Sequence, residues 1–254
     1  MPRKARKRSS SGVYHIMLRG INRQTIFEDD EDRRKFLETL KKYRNISKYE
    51  LYGYCLMDNH VHLLMKESEE TISDAIKRIS SSYVHWYNMK YERCGHLFQD
   101  RFKSENVENH DYFKIALRYI HQNPMKAGLA RNVFESKWTS INEYLKKAIL
   151  VDVDVGFGLF SYDRKSAINM FILYMNQSNG DQCLDDYIIN RKSDQEVREY
   201  LNQLGIINTS TIQRMERGAR DEVLSKLKKL NGVSVRQLSR ITGISKSVID
   251  RVRR

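Results

Sequence analysis

Apolar residues recur along the chain with two different periods, and the switches between them outline the fold. The run "VYHIMLR" (13–19) is apolar, aromatic and β-branched and stops at Gly20, the pattern of a strand. "DDEDRRKFLETLKKYRNIS" (29–47) spaces Phe36, Leu37, Leu40 and Tyr43 at helical intervals, behind an acidic first turn that suits the helix dipole. "YELYGYCLM" (49–57) and "HVHLLMK" (60–66) return to strand character. Asp58 and Asn59 join them, and both residue types tolerate left-handed backbone, so a tight hairpin is predicted. "TISDAIKRISSSYVHWYNMKY" (71–91) repeats Ile72, Ile76, Ile79, Tyr83 and Trp86 at three- and four-residue steps and predicts a second long helix. "FKSENVE" (102–108) reads as a last strand, and "HDYFKIALRYIHQNP" (110–124) as a helix stopped near Pro124.

The order β-α-β-β-α-β is that of the ferredoxin-like split-βαβ sheet. The expected fold class is therefore α+β: a ferredoxin-like antiparallel sheet with added helices, then an all-α C-terminal domain. Residues 1–12 read as a flexible basic arm and 13–148 as the sheet-bearing domain. "ILVDVDVGFGLF" (149–160), with two glycines and alternating small and acidic residues, suggests a linker over 149–162. Residues 163–254 contain no convincing strand. There, "SDQEVREYLNQLG" (193–205) is capped by Ser193 and followed by Gly205, and "DEVLSKLKKLNG" (221–232) ends on a glycine.

"SVRQLSRITGISKSVIDRV" (234–252) has the form of a helix-turn-helix. Ser234 with Gln237 fits a capping box, Gly243 sits in the turn, and Ser245 can cap the second helix. Lys246, Ser247, Asp250 and Arg251 would then face outward, where such motifs enter the major groove. Lys228, Lys229, Arg236, Arg240, Lys246, Arg251, Arg253 and Arg254 stand against the single acid Asp250. Binding to duplex DNA or a hairpin stem is expected; a solvated basic helix pair is the alternative.

Composition narrows the partners. The chain has 254 residues, and 45 Lys and Arg against 32 Asp and Glu leave a net charge of +13. That surplus suggests a polyanion, because phosphate contacts drive sequence-independent nucleic-acid binding. Cys55, Cys94 and Cys183 form no CxxC pair, which argues against a zinc ribbon and a disulfide framework. No signal-peptide core or run of about 18 apolar residues is present. The expected location is cytoplasmic, nucleoid-associated, with no membrane partner.

His60 and His62 are the first candidates for chemistry. Side chains alternate along a strand, so these two imidazoles share a face and can hold one ion. Two satisfied or exposed histidines would give the same spacing. Tyr119 and Asn123 lie one helical turn apart on one face. Phenol attack on phosphorus needs deprotonation or orientation, plus charge neutralisation on the phosphate. An ion held by His60 and His62 would supply the latter, with the Asn123 amide oxygen completing the ligand set. A core aromatic and a helix cap before Pro124 are the alternatives.

"MDNHVHLLM", "GHLFQDRFKS" (95–104) and "LRYIHQNPMKAGLA" (117–130) together resemble the REP-associated tyrosine transposases, IS200-like members of the HUH single-strand transposase superfamily. The resemblance spans roughly residues 13–145. It implies Tyr119 as nucleophile, His60 and His62 as metal ligands, and Asn123 as a third ligand where many relatives carry glutamine. It further implies Mg²⁺ or Mn²⁺ rather than Zn²⁺, single-stranded or hairpin DNA as substrate, and a 5′-phosphotyrosine intermediate. Some relatives act as homodimers and others as monomers. Arg101 and Lys103, interleaved with Phe98 and Phe102, are expected to touch DNA, as are Arg19 and Arg23. His15, His85, His110 and His121 have no spacing that compels a role and read as structural. Two other classes compete: a DNA-binding regulator with an inactive nuclease-like domain, and a zinc hydrolase. The second is disfavoured because no acidic base lies near His60 and His62.

Overall fold

The computed structural model describes residues 6–181, 183–184, 192–206, 208, 211–230 and 232–252. They fall into two compact units that divide after Leu184. The first contains β1 (Val13–Arg19), α1 (Asp30–Ser47), β2 (Glu50–Met57), β3 (His60–Lys66), α2 (Ile72–Lys90), β4 (Lys103–Asn106), α3 (His110–Lys126), α4 (Ile141–Leu145), α5 (Val153–Gly158) and α6 (Arg164–Asn176). The sheet order is β2-β3-β1-β4 with every neighbouring pair antiparallel, the predicted split-βαβ arrangement.

Strand parity divides the core. Ile16, Leu18, Val61 and Leu63 are buried on one face, where α1 and α2 pack together. Helix α3 lies against β2 and β3 on the other. The close approach depends on Gly53, where an added Cβ would come within 2.8 Å of Leu117. The first helix starts as its sequence suggests: Asp29 accepts from the backbone N–H of Glu31 and Asp32, and Asp32 returns the bond.

Four local expectations need correction. The tight hairpin forms as predicted, with Met57 opposite His60, but neither Asp58 nor Asn59 has a positive φ. Tertiary contacts hold the hairpin instead: Asp58 O accepts from Ile26 and Phe27, Asn59 O accepts from Gly20, and Asp58 pairs with Arg33. Pro124 does not end α3, which continues to Lys126. A proline in the last turn removes only one hydrogen bond of the ladder, and its ring is buried with Ile120 and His121.

Residues 149–162 are part of the first unit rather than a linker. Glu143 accepts from the N–H groups of Ile149, Leu150 and Val151, Asp152 donates to Leu51 O at 2.7 Å, and α5 buries Phe157. Residues 6–12 of the arm are docked beside β4. Arg6 donates to Phe102 O, Asn106 to Arg8 O and Ser11 to Val107 O, while Glu108 accepts from Ser9 and Ser10. This covers an otherwise open sheet edge.

The second unit comprises α7 (Asp194–Gln203), α8 (Thr211–Arg214), α9 (Arg217–Lys229), α10 (Val235–Thr242) and α11 (Lys246–Arg251) around a core that includes Val197, Leu201, Leu224, Leu227, Leu238, Ile241 and Ile249. Ser193 and Glu196 form a full capping box. Ser234 caps α10, but the Gln237 side chain turns to Lys192 O and Asp194 instead of reciprocating. Ser245 stands at the start of α11 with its hydroxyl on Ser247 rather than on a helix N–H. Gly243 joins the two helices at φ +69, a left-handed conformation that favours glycine. Arg253 and Arg254 lie outside the described residues.

Candidate active site

Antiparallel register decides which side chains meet beneath α3. Arg19 is opposite His60, Met17 opposite His62 and Lys103, and His15 opposite Leu64 and Glu105. Directly paired residues point to one face. His15, Arg19, His60, His62, Lys103 and Glu105 therefore share the face that α3 covers.

Helix α3 places Tyr119 there. Its ring centroid is 5.6 Å from that of His62 and 5.7 Å from that of His15. One turn on, the Asn123 amide nitrogen lies 3.4 Å from His62 Nε2. His60 and His62 have ring centroids 5.0 Å apart. The predicted nucleophile and ligands thus converge. Lys126 adds an ammonium 5.0 Å from the Tyr119 ring centroid, a cation–π contact.

Both flanks of Tyr119 are anchored. On one side His121 Nε2 meets Ser140 Oγ at 2.7 Å, and that hydroxyl accepts from Tyr54 N–H on β2. On the other, Arg118 binds Asp181 at 2.7 and 2.9 Å and stacks on Tyr174, while Gln122 donates to Met175 O and Gln177 O at 2.7 and 2.9 Å. Helix α6, assigned from sequence to the C-terminal domain, and the residues that follow it therefore position α3.

Burial holds the His62 pKa well below the ordinary histidine value, aided by the neighbouring His15, His60 and Arg19. The ring is neutral near pH 7, the form that binds metals. His15 is pushed down to about 3 by burial. Its Nε2 lies 2.9 Å from His62 Nδ1, and its Nδ1 lies 4.0 Å from a Glu105 carboxylate oxygen.

Among the described residues His15 Nδ1 makes no hydrogen bond, and the negative charge of the Glu105 carboxylate beyond it favours the tautomer in which that nitrogen carries the proton. His15 Nε2 then accepts from His62 Nδ1–H, leaving the His62 Nε2 lone pair directed toward Asn123. His60 Nδ1 is likewise engaged, 2.6 Å from Asn59 Oδ1. Both histidines can thus offer Nε2, and rotation of the Asn123 amide would present its oxygen. Two neutral imidazoles and an amide oxygen are a donor set that could hold a divalent ion, although imidazole donors by themselves do not select Mg²⁺ or Mn²⁺. Among the described residues, no group of three His, Cys, Asp or Glu side chains could hold a metal ion.

The other predicted contacts divide by location. Arg19 and Lys103 lie at the site, the charge of Arg19 lowering the Lys103 pKa after burial has done so first. Arg23 is exposed in the turn after β1, its carbonyl accepting from Asn59 at 3.4 Å. Arg101 departs from the expected grouping: it lines a cleft with α2 residues. Lys246, Ser247 and Arg251 are exposed on α11 of the second unit. Sequence reasoning missed His15, Glu105 and Lys126. Strand parity could have signalled the first two, but only once the register was known.

Residues 8–123 match the family described as "Transposase IS200 like". Among solved structures, a REP-associated tyrosine transposase bound to a REP hairpin aligns with a TM-score of 0.51 at 17% identity, covering 65% of this chain and 93% of that one. A candidate transposase from Deinococcus radiodurans R1 aligns at 18% identity over 51% of this chain and 99% of that one, but its TM-score of 0.34 is too low to add to the fold comparison. No curated protein matches. Among the described residues no helix is long and apolar enough to cross a membrane. Residues 8–123, which carry the paired histidines and the tyrosine beside them, are thus the part of the chain similar to the IS200-like transposase family.

Proposed function

We propose that this protein cuts and rejoins single-stranded DNA, with Tyr119 as the nucleophile. The observation that carries this reading is the packing of Tyr119 against His62 with Asn123 at His62 Nε2. The Tyr119 oxygen would attack phosphorus and form a 5′-phosphotyrosine bond. The P–O3′ bond breaks, the phenol proton leaves, and the departing 3′ oxygen gains a proton. Attack by another 3′-OH reverses the bonding and joins the strands without ATP. Mg²⁺ or Mn²⁺ held by His60, His62 and Asn123 would supply Lewis-acid charge neutralisation on the phosphate.

Among the protein groups, Arg19, Arg23 and Lys103 attract phosphates. Tyr119 is only 4% exposed, so neighbouring residues must part before a phosphodiester reaches it. The hairpin-bound relative supports hairpin DNA as the substrate class. On the second unit, Lys246, Ser247 and Arg251 form an exposed surface suited to duplex or stem DNA.

The burial of Tyr119 is the one observation favouring the alternative, a DNA-binding regulator that does not cleave. Labelled hairpin oligonucleotides incubated with Mn²⁺ and resolved on a denaturing gel separate the readings. The transferase reading expects a metal-dependent covalent shift that disappears in Tyr119→Phe. DNA binding without any shift would support the regulator.

A further inference from the structure

The α10–α11 pair carries one acid on an otherwise basic stretch. From Lys228 to Val252 the cations are Lys228, Lys229, Arg236, Arg240, Lys246 and Arg251, and Asp250 is the single anion. We infer that Asp250 accepts from a cytosine amino group in the major groove of paired DNA and so sets sequence preference rather than affinity. This rests on the reading of the second unit as a binder of duplex or stem DNA.

The local structure turns this carboxylate outward. Helix α11 buries Ile249 and half-buries Val248, whereas Lys246, Ser247, Asp250 and Arg251 are all exposed. Lys246 and Asp250 are four residues apart, as are Ser247 and Arg251, so the four share one face. The turn before them is fixed: Gly243 takes φ +69, and the Gln213 amide donates to Thr242 O at 3.0 Å. The far end is held from α9, where the Lys228 ammonium donates to Ile249 O at 3.0 Å and to Asp250 O at 3.2 Å. Lys228 thereby satisfies backbone carbonyls at the helix end. Among the described residues no cation pairs with the Asp250 carboxylate.

Two physical costs attach to that position. A carboxylate in the last turn is repelled by the negative end of the helix dipole, and on a DNA-facing surface it repels phosphates. Residues that break local rules in this way are expected at functional sites. A carboxylate only accepts hydrogen bonds. The major-groove donors of paired DNA are the amino groups of cytosine and adenine. Adenine sets its amino group beside the N7 acceptor, which repels a carboxylate, so cytosine is the base that an acid selects. Arg251, next on the same face, has the fork that fits guanine O6 and N7.

The test uses the full chain and blunt DNA duplexes with a randomised central segment, with excess oligo(dT) present to occupy single-strand sites. Duplexes retained in a gel shift are sequenced. The wild type should enrich a motif containing a C·G pair, and replacing that pair by T·A should weaken binding roughly 5- to 150-fold, the usual effect of one wrong base pair. Asp250→Ala should lose the preference at that pair alone and bind duplexes of unrelated sequence more tightly. Asp250→Asn, whose amide both donates and accepts, should turn the preference toward adenine. Thermal unfolding verifies that both variants fold.

A wild-type motif without a C·G pair would overturn the inference, as would an unchanged preference in folded Asp250→Ala. The double variant Lys246→Ala, Arg251→Ala separates the inference from the reading beneath it. Duplex binding lost in that variant, together with a motif indifferent to Asp250, defeats the Asp250 assignment alone. Duplex binding undiminished in that variant defeats the second-unit reading and the inference with it.

Discussion

At the scale of residues, a side chain read from sequence as structural orients one of the expected metal ligands. His60, His62, Tyr119 and Asn123 were legible because their spacings keep them on single faces of a strand and a helix. His15 was not: the register that puts it opposite Leu64, and so beside His62, is a long-range property. His15→Ala should weaken Mn²⁺ binding about 10–100-fold, the usual consequence of losing a partner that orients a ligand. His15→Gln, whose side-chain oxygen can accept from His62 Nδ1–H, should restore much of it. Mn²⁺ titration followed by electron paramagnetic resonance provides the measurement without DNA or turnover. Wild-type affinity in His15→Ala would remove His15 from the account.

At the scale of elements, periodicity marked every strand of the sheet and the long helices packed on it, because burial on one face imposes its period on the sequence. It failed where polar groups do the holding. The arm looks free in sequence because its partners, Phe102, Asn106 and Glu108, are distant along the chain. The Glu108 carboxyl is held at a pKa of about 2, first by the Ser10 hydroxyl, with further help from Asn106 and backbone N–H groups. Because this pKa is depressed, the stabilisation is fully present above the ordinary glutamate value and fades as pH falls toward about 2. Hydrogen exchange at Ser10 and Ser11 should therefore remain slow from neutrality to about pH 5, and accelerate in Glu108→Gln at neutral pH. Equal protection in that variant would show that Glu108 does not secure the arm.

At the scale of the molecule, the division after Leu184 assigns α5 and α6 to the first unit. The glycines and acids of 149–160 resemble a linker, and nothing local reveals that Glu143 gathers three of that segment's N–H groups. A chain ending at residue 184 should unfold cooperatively. One ending at residue 148 should not fold: it lacks the buried residues Leu150, Val151, Val153, Phe157, Phe171 and Met175. Losses of about 2–5 kcal/mol at individual large core positions soon exceed a domain's stability of about 5–15 kcal/mol. Calorimetry on both truncations checks this, and a cooperative transition in the shorter chain would contradict it. The central claim is that two strand histidines and one helix tyrosine form a single DNA-joining site. Mass spectrometry of protein digested after incubation with hairpin DNA and Mn²⁺ tests it most directly. The account predicts a nucleotide on Tyr119 in the wild type and none in His60→Ala or His62→Ala; modification of another residue, or undiminished Tyr119 labelling in both variants, would contradict it.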